Sequence, residues 1–288
     1  MEYTINNNII EITVTEKGAE LKVLKKINEK NILWCQDEKV WGFSSPVLFP
    51  FVGKMKNDEY VFDNKKYNIS QHGFARRLNF DINEITENEI SFKLQQNQET
   101  LKVYPFNFEL ICGYKLESNK VIVYWEVKNN NDIDMPFFIG AHPAFVYNNA
   151  KNSTGCFIKF HNKDNIVSRD FLDTGYVSES KTIYNLENNM IEITNNLLNG
   201  NTIVLENNQV NSISLLSPKK EPYVKVDFDS PLVGIWSKKD SDNIFVCIEP
   251  WYGRCDSEFA QSDINTKDWI NIIKPGEIFI KNYLIEVI

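Results

Sequence analysis

The sequence FELICGYKLESNKVIVYWEV, residues 108–127, is the stretch that indicates the fold most directly. Two apolar-rich runs, residues 108–114 and 121–127, flank the polar segment Ser118-Asn119-Lys120. Short runs rich in β-branched and aromatic residues on either side of a polar turn are typical of a β-hairpin. We therefore predict two adjacent antiparallel strands in this region.

Similar segments recur along the rest of the chain. Residues 9–14 and 89–94 alternate between apolar and polar side chains, as half-buried strands do. Further strands are predicted at residues 203–205, 212–216, 223–228, 232–236, 244–248 and 279–287. Helical periodicity is weak, and residues 96–102 and 258–263 are the best candidates for short helices. Many short strands without amphipathic helices between them predict an all-β fold, built as a large antiparallel sandwich.

The length of the chain is compatible with one large β domain. Its 288 residues exceed the length of an average domain, but β-sandwiches and barrels often reach roughly 200–250 residues as one unit. The sequence contains no tandem repeat, no low-complexity linker and no break in composition. We therefore predict a single domain that spans residues 1–288.

Charge and hydropathy exclude several classes of protein. The net charge of -8 argues against a general nucleic-acid binder, because such proteins need a basic surface to neutralise phosphates. No segment approaches the ~20 apolar residues of a membrane helix, and the first residues lack the features of a signal peptide. We expect a cytoplasmic protein without a membrane or nucleic-acid partner, and both a monomer and a homodimer remain open.

The five cysteines are scattered and include no Cys-x-x-Cys pair. An odd, dispersed set is typical of reduced thiols, and it does not indicate a disulfide framework or a zinc site. Cys112 and Cys247 lie in apolar runs, where we expect buried and unreactive thiols. No metal ligand set is predicted.

Three short segments carry most of the chemical information. They are QHGFAR at residues 71–76, GAHPAF at 140–145 and IEPW at 248–251, and two of the three histidines lie in the first two. Each segment places a titratable side chain beside Gly or Pro, where the backbone turns or breaks, and near an aromatic ring that can face a sugar. A histidine acid and a carboxylate base suit proton transfer on a small polar substrate.

Together with FPFVGK at residues 49–54, Tyr60-Val61-Phe62 and Tyr67, these segments resemble the aldose 1-epimerase (galactose mutarotase-like) family, in particular its LacX-type members. The order and spacing of the motifs match from about residue 18 to the carboxyl terminus. The resemblance implies one β-supersandwich domain. It also implies interconversion of the α and β anomers of an aldose, with no cofactor and no metal.

The resemblance also implies roles for individual residues. Glu249 would be the general base that takes the proton from the C1 hydroxyl, and His142 the general acid that protonates the ring oxygen. His72 and Arg76 would bind the substrate. An unperturbed histidine pKa of about 6.5 suits proton exchange near neutral pH, and a carboxylate can do the converse if its surroundings raise its pKa.

Four further positions are candidates for substrate binding. Lys54 lies where many relatives carry a substrate-binding arginine, and lysine keeps the charge but loses the planar donor fork. Trp236 and Trp251 are candidates for stacking on a sugar face. Many galactose mutarotases use an aspartate near the segment at residues 199–202, which has no acidic residue here, so Asn201 is the candidate replacement.

Several alternatives remain open from the sequence. The HGFAR segment also occurs in hexose-6-phosphate epimerases, but those relatives gather several arginines around the phosphate, whereas this chain has four in total. A non-catalytic carbohydrate-binding or sensing protein is a second alternative. A metal-dependent cupin-like isomerase is a weaker one, since His72 and His142 are far apart in sequence. We expect His161 to be a structural residue and Arg77 to be a surface charge.

Overall fold

The computed structural model describes residues 1–147, 151–194, 196–198 and 200–288. The strands of the first half are β1 (Glu2–Asn6), β2 (Ile10–Thr15), β3 (Glu20–Lys26), β4 (Val47–Leu48), β5 (Glu59–Phe62), β6 (Lys65–Asn68), β7 (Asp81–Ile85), β8 (Glu89–Gln95), β9 (Phe108–Glu117), β10 (Lys120–Asn129), β11 (Met135–Phe137), β12 (Ile139–Ala141) and β13 (Ala144–Phe145).

The second half contributes β14 (Phe157–Phe160), β15 (Asn165–Phe171), β16 (Val177–Asn185), β17 (Met190–Glu192), β18 (Thr202–Leu205), β19 (Ser212–Leu216), β20 (Pro222–Phe228), β21 (Leu232–Trp236), β22 (Val246–Tyr252), β23 (Asn271–Ile273) and β24 (Ile278–Val287). Helical structure comprises α1 (Gln98–Val103) and 3₁₀ turns at Lys56–Asp58, Ala75–Arg77 and Ile264–Thr266. In the described part of the chain, no helix is long and apolar enough to span a membrane.

Two large antiparallel sheets dominate the structure. One has nine strands in the order β17-β14-β19-β20-β24-β10-β9-β8-β7, and the other has the order β16-β15-β18-β21-β22-β12-β4, with β13 also paired to β22. Strands β1, β2 and β3 form a separate three-stranded sheet. The prediction of an all-β, antiparallel fold is confirmed, while the prediction that residues 1–288 form one domain stays a prediction.

The two large sheets pack face to face through alternating side chains. In β10 every second residue, from Val121 to Asn129, is buried, as expected for a strand with one face towards a core. The ring of Trp125 from β10 lies 6.4 Å from that of Tyr252 in β22, so side chains of the two sheets meet between them. The predicted hairpin is confirmed, since β9 and β10 pair from Glu117 and Lys120 onwards.

One predicted helix, at residues 258–263, is wrong. Near its two ends this segment bonds to distant backbone instead: the N–H of Glu258 bonds to the Val177 carbonyl at 3.2 Å, and the Ser262 carbonyl accepts the N–H of Val61 at 2.8 Å. A helix would withdraw those backbone groups from these bonds. Asp263 accepts a hydrogen bond from the backbone N–H of Asn265, so it caps the 3₁₀ turn that follows.

Candidate active site

Strand β22 carries one face of the site and is longer than predicted. We predicted a strand at residues 244–248, but it runs through Pro250 to Tyr252. The backbone N–H of Ile248 bonds to the carbonyl of Pro143. The backbone nitrogen of Pro250, two residues further on, faces the same side of the strand. That side is interrupted between β12 and β13, so the missing N–H of Pro250 leaves no partner unsatisfied.

Strand register brings His142 and Glu249 together. Gly140 pairs with Trp251 in β12, and Ala144 pairs with Cys247 in β13. The same register on both sides of the interruption places His142 opposite Glu249. Directly opposed residues on neighbouring strands point to the same face with Cβ atoms about 4.5–5.5 Å apart. The Nε2 atom of His142 accordingly lies 3.2 Å from Oε2 of Glu249.

Burial makes this pair electrically neutral. His142 is 7% exposed and Glu249 is 1% exposed. Burial lowers the pKa of His142 to about 3, with a further contribution from the charge of Arg76. Burial raises the pKa of Glu249 well above its ordinary value, and the Trp251 side chain opposes this only in part. At neutral pH the pair therefore holds a single proton, which favours the carboxylic acid and the neutral imidazole.

His72 is fixed as a neutral hydrogen-bond donor. Its Nδ1 accepts the backbone N–H of Gly53 at 3.0 Å, and its own backbone N–H bonds to the Gly53 carbonyl at 2.8 Å. With Nδ1 an acceptor, Nε2 carries the hydrogen. Burial lowers the pKa of His72 well below its ordinary value, and the charge of Arg76 adds to this effect. The ring lies 5.6 Å from that of His142.

A glycine is required directly after His72. Both residues have positive φ, and Gly73 has φ of 65°. A Cβ atom at Gly73 would lie 2.3 Å from the carbonyl oxygen of Phe49. This explains the His-Gly order of the motif, since only glycine permits the close approach of these two backbone segments.

Arg76 is a buried cation beside the two histidines. It lies in the 3₁₀ turn Ala75–Arg77, donates from Nη2 to the Gln71 carbonyl at 3.0 Å and stacks 4.8 Å from the Phe43 ring. Burial lowers its pKa to about 10. Arg77, the last residue of this turn, is exposed, as expected.

These groups line one cavity of about 330 Å³. The predicted residues that line it are His72, Arg76, His142, Trp236, Glu249 and Trp251. Gly234 pairs with Glu249 on the neighbouring strand β21, and a Cβ atom there would lie 2.3 Å from the Trp251 ring. A glycine at this position therefore lets the indole lie flat across the sheet beside the carboxyl group.

The structure does not place the other two predicted residues in this cavity. The ammonium group of Lys54 lies 4.0 Å from Asp58 and 5.6 Å from the Tyr176 ring. Asn201 lines an adjoining depression of about 530 Å³, which shares Trp236 with the main cavity. Asn199, from the segment where we looked for an aspartate, lies outside the described residues.

Sequence reasoning missed several side chains that line the cavity, among them two aromatic residues and a lysine. Trp41 and Phe43 reach it from an irregular segment, and Lys238 reaches it from the end of β21. Trp41 lies 5.0 Å from the His142 ring and 5.7 Å from the Trp236 ring. The available signal was the WGF triplet at residues 41–43, in which aromatic residues lie beside a glycine as in the motifs that we did recognise.

Among the described residues, His142, Cys247 and Glu249 are the group whose geometry could hold a metal ion, with ligand atoms within 4.8 Å of one another. Burial raises the pKa of the Cys247 thiol well above its ordinary value, which opposes formation of the thiolate that a metal requires. The other predicted thiol, Cys112, is also buried. His161 lies elsewhere and shares a 2.9 Å hydrogen bond with Ser214.

The fold and this cavity are those of a sugar epimerase: the chain belongs to the aldose 1-epimerase family, whose model matches residues 1–282. It is similar to the chromosomal protein LacX of Lactococcus lactis subsp. lactis, with 27% identity over the full length of both chains. A galactose mutarotase related enzyme from Lactobacillus acidophilus has a TM-score of 0.94 and 33% identity, covering 100% of this chain and 97% of that one.

A galactose mutarotase-like protein from Lactobacillus casei ATCC 334 is also similar, with a TM-score of 0.89, 27% identity and full coverage of both chains. The family resemblance drawn from the motifs is therefore confirmed. Family membership supports an isomerase that binds a sugar.

Proposed function

We propose that the protein is a mutarotase that interconverts the α and β anomers of a free hexose, with Glu249 as general base and His142 as general acid. The observation that carries this proposal is the 3.2 Å contact between Nε2 of His142 and Oε2 of Glu249 inside a cavity large enough for a pyranose. Two proton-transfer groups on one face can serve the C1 hydroxyl and the ring oxygen of the same hemiacetal.

The reaction moves protons and breaks one bond. Transfer of the shared proton from Glu249 to His142 across their 3.2 Å contact first forms the carboxylate and the imidazolium. The Glu249 carboxylate then takes the proton of the C1 hydroxyl while the His142 imidazolium gives its proton to the ring oxygen, and the bond between C1 and that oxygen breaks. The open-chain aldehyde rotates about the bond between C1 and C2. Closure on the other face reverses both proton transfers and returns the pair to its starting form.

The charge state of the buried pair fits the open-chain stage of this cycle. After ring opening Glu249 holds a proton and His142 is neutral, which is the form that burial favours. Both forms of the pair contain one proton, so the cycle needs no proton from outside the cavity. The site therefore stabilises the stage at which the anomers become equivalent.

The arginines favour a neutral sugar over a hexose 6-phosphate. Arg254 is bound to Glu206 at 2.6 Å and to Asp268 at 2.9 Å, and Arg169 lies 3.3 Å from Glu206. Neither lines the main cavity. That cavity offers a phosphate only Arg76 and the flexible ammonium group of Lys238 among its lining residues, and lysine lacks the bidentate donor geometry of arginine.

Polarimetry of freshly dissolved α-glucose, α-galactose and glucose 6-phosphate tests the proposal. We expect Glu249→Gln and His142→Asn each to reduce kcat by roughly 10²–10⁴-fold. The matched control is His161→Asn, which removes a histidine outside the cavity and should leave the rate unchanged. A folded Glu249→Gln protein with the wild-type rate would refute the base assignment. Sugar binding without turnover by the wild type would favour a binding protein instead.

A further inference from the structure

Glu20 is a buried carboxylate that the proposed reaction does not use. It begins β3 in the three-stranded sheet and is 5% exposed. Its Oε1 accepts the backbone N–H groups of Ser44 at 2.6 Å and Ser45 at 3.0 Å, and its Oε2 accepts the Gln36 side-chain amide at 2.9 Å. Burial raises the pKa of the Glu20 carboxyl, and these three hydrogen bonds oppose the rise.

All three of these partners lie on one irregular segment, residues 36–45, which we call the 36–45 loop. Gln36 is its first residue, and Ser45 is its last. Glu20 therefore holds the two ends of the loop together at a single carboxylate. Its side chain does not line the sugar cavity, so it contacts no reacting atom directly.

The middle of the loop forms part of the cavity. The backbone N–H of Trp41 bonds to the Asp37 carbonyl at 2.7 Å, and its carbonyl accepts the Trp34 indole N–H at 2.8 Å. These bonds fix the backbone of Trp41, whose ring packs against His142. Phe43 directly precedes Ser44, whose backbone N–H bonds to Glu20, and its ring stacks on the Arg76 guanidinium.

We propose that Glu20 is a positioning residue for substrate binding: it fixes the 36–45 loop so that Trp41 and Phe43 form an aromatic wall of the sugar cavity. Aromatic faces bind the apolar C–H face of a pyranose, so the wall contributes to affinity for an aldose. This inference rests on the proposed function, because an aldose must occupy the cavity. Strand register alone places His142 opposite Glu249, and the loop contacts this pair through the Trp41 ring.

The test is a comparison of KM with kcat. Glu20→Leu should raise KM for the preferred aldose about tenfold and change kcat less than about threefold, which is the pattern for loss of uniform binding. Glu20→Gln keeps an acceptor oxygen for the backbone N–H groups of Ser44 and Ser45, so it should retain most of the aldose affinity that Glu20→Leu loses. Gln36→Ala removes one of the three bonds and should shift KM in the same direction by less.

The matched control is Glu16→Leu. Glu16 is another acid of the amino-terminal region, and it bonds to the Tyr3 hydroxyl at 2.6 Å and to the amino terminus at 2.7 Å, with no bond to the loop. This variant should leave KM unchanged. It separates a general loss of stability in the three-stranded sheet from release of the 36–45 loop.

A second measurement is independent of turnover. Lys39 is exposed in the 36–45 loop, so trypsin cleavage after it reports opening of the loop. We expect faster cleavage there in Glu20→Leu and Gln36→Ala but not in Glu16→Leu. Unchanged KM and unchanged cleavage at Lys39 would overturn the proposal, and so would a fall in kcat at constant KM. If the wild type proves inactive, the proposed function fails, and cleavage combined with calorimetric sugar binding still tests Glu20.

Discussion

Replacement of Glu249 by glutamine should make the protein more stable at neutral pH while it removes activity. Glu249 is almost fully buried, and its pKa in the folded protein is raised well above the ordinary value of 4.5. At neutral pH a carboxyl group ionises freely in the unfolded state, whereas burial disfavours its ionised form in the folded state. Such a group therefore lowers the free energy of unfolding. Glutamine has nearly the same shape and cannot ionise.

The size of the effect follows from proton linkage. Between pH 4.5 and the raised pKa of Glu249, the folded state binds more protons at this residue than the unfolded state does, so stability falls as pH rises. Within this range the loss is about 1.4 kcal/mol for each pH unit. Glu249→Gln should gain that amount relative to the wild type over the same range.

His142 has the opposite sign. Its pKa falls to about 3 in the folded protein, so between pH 3 and 6.5 the unfolded state binds more protons and stability rises with pH. From pH 4.5 to 6.5 the contributions of His142 and Glu249 cancel. The pair should therefore give the wild type a flat stability profile in that window and a decline above it.

Chemical unfolding at half-unit steps from pH 4.5 to 8 measures the difference between Glu249→Gln and the wild type. In thermal scans each 1 kcal/mol of relative gain should appear as a melting temperature higher by roughly 2–4 °C. Glu117→Gln removes one exposed carboxyl and corrects for the change in net charge. A difference that stays constant from pH 4.5 to 8 would contradict the raised pKa of the buried Glu249 carboxyl.

Two further substitutions test the walls of the cavity. Arg76→Lys loses the stacking on Phe43 and the bond to the Gln71 carbonyl. Steady-state kinetics should show KM for the aldose raised about tenfold, with a smaller change in kcat. An unchanged KM would exclude Arg76 from substrate binding. Gly234→Ala would place a Cβ atom in contact with the Trp251 ring and displace it. We expect kcat to fall at least about tenfold while the circular dichroism spectrum stays native. A wild-type kcat in this variant would show that the position of the ring is not critical.

The sequence predicted the strands well because their signals are local. The hairpin of β9 and β10 follows from two apolar-rich runs on either side of a polar turn, and each strand buries most of one face. The failed helix at residues 258–263 shows the limit of local reasoning. Its backbone groups are taken by hydrogen bonds to Val61 and Val177, which are distant in sequence.

The site was predicted unevenly for a related physical reason. His142 and Glu249 stood out because each is a titratable group in a short motif with Gly or Pro and an aromatic ring, although their 3.2 Å contact depends on register between separate strands. Trp41 was missed because the 36–45 loop has no periodic pattern, and a carboxylate on another sheet holds its ends. Lys54 was predicted in the cavity but lies outside it, because the chain turns at Gly53. Gly53 lines the cavity, whereas the Lys54 side chain lies over the Tyr176 ring.

Proton transfer and sugar affinity depend on different parts of the fold. The proton-transfer pair belongs to paired strands in the centre of a sheet, where a change in separation would require a shift of register and would expose the opposite face. The aromatic wall belongs to a loop held by three hydrogen bonds to Glu20. Substitutions in the loop can therefore alter which aldose binds without moving His142 relative to Glu249, so affinity and proton transfer should respond to separate sets of residues.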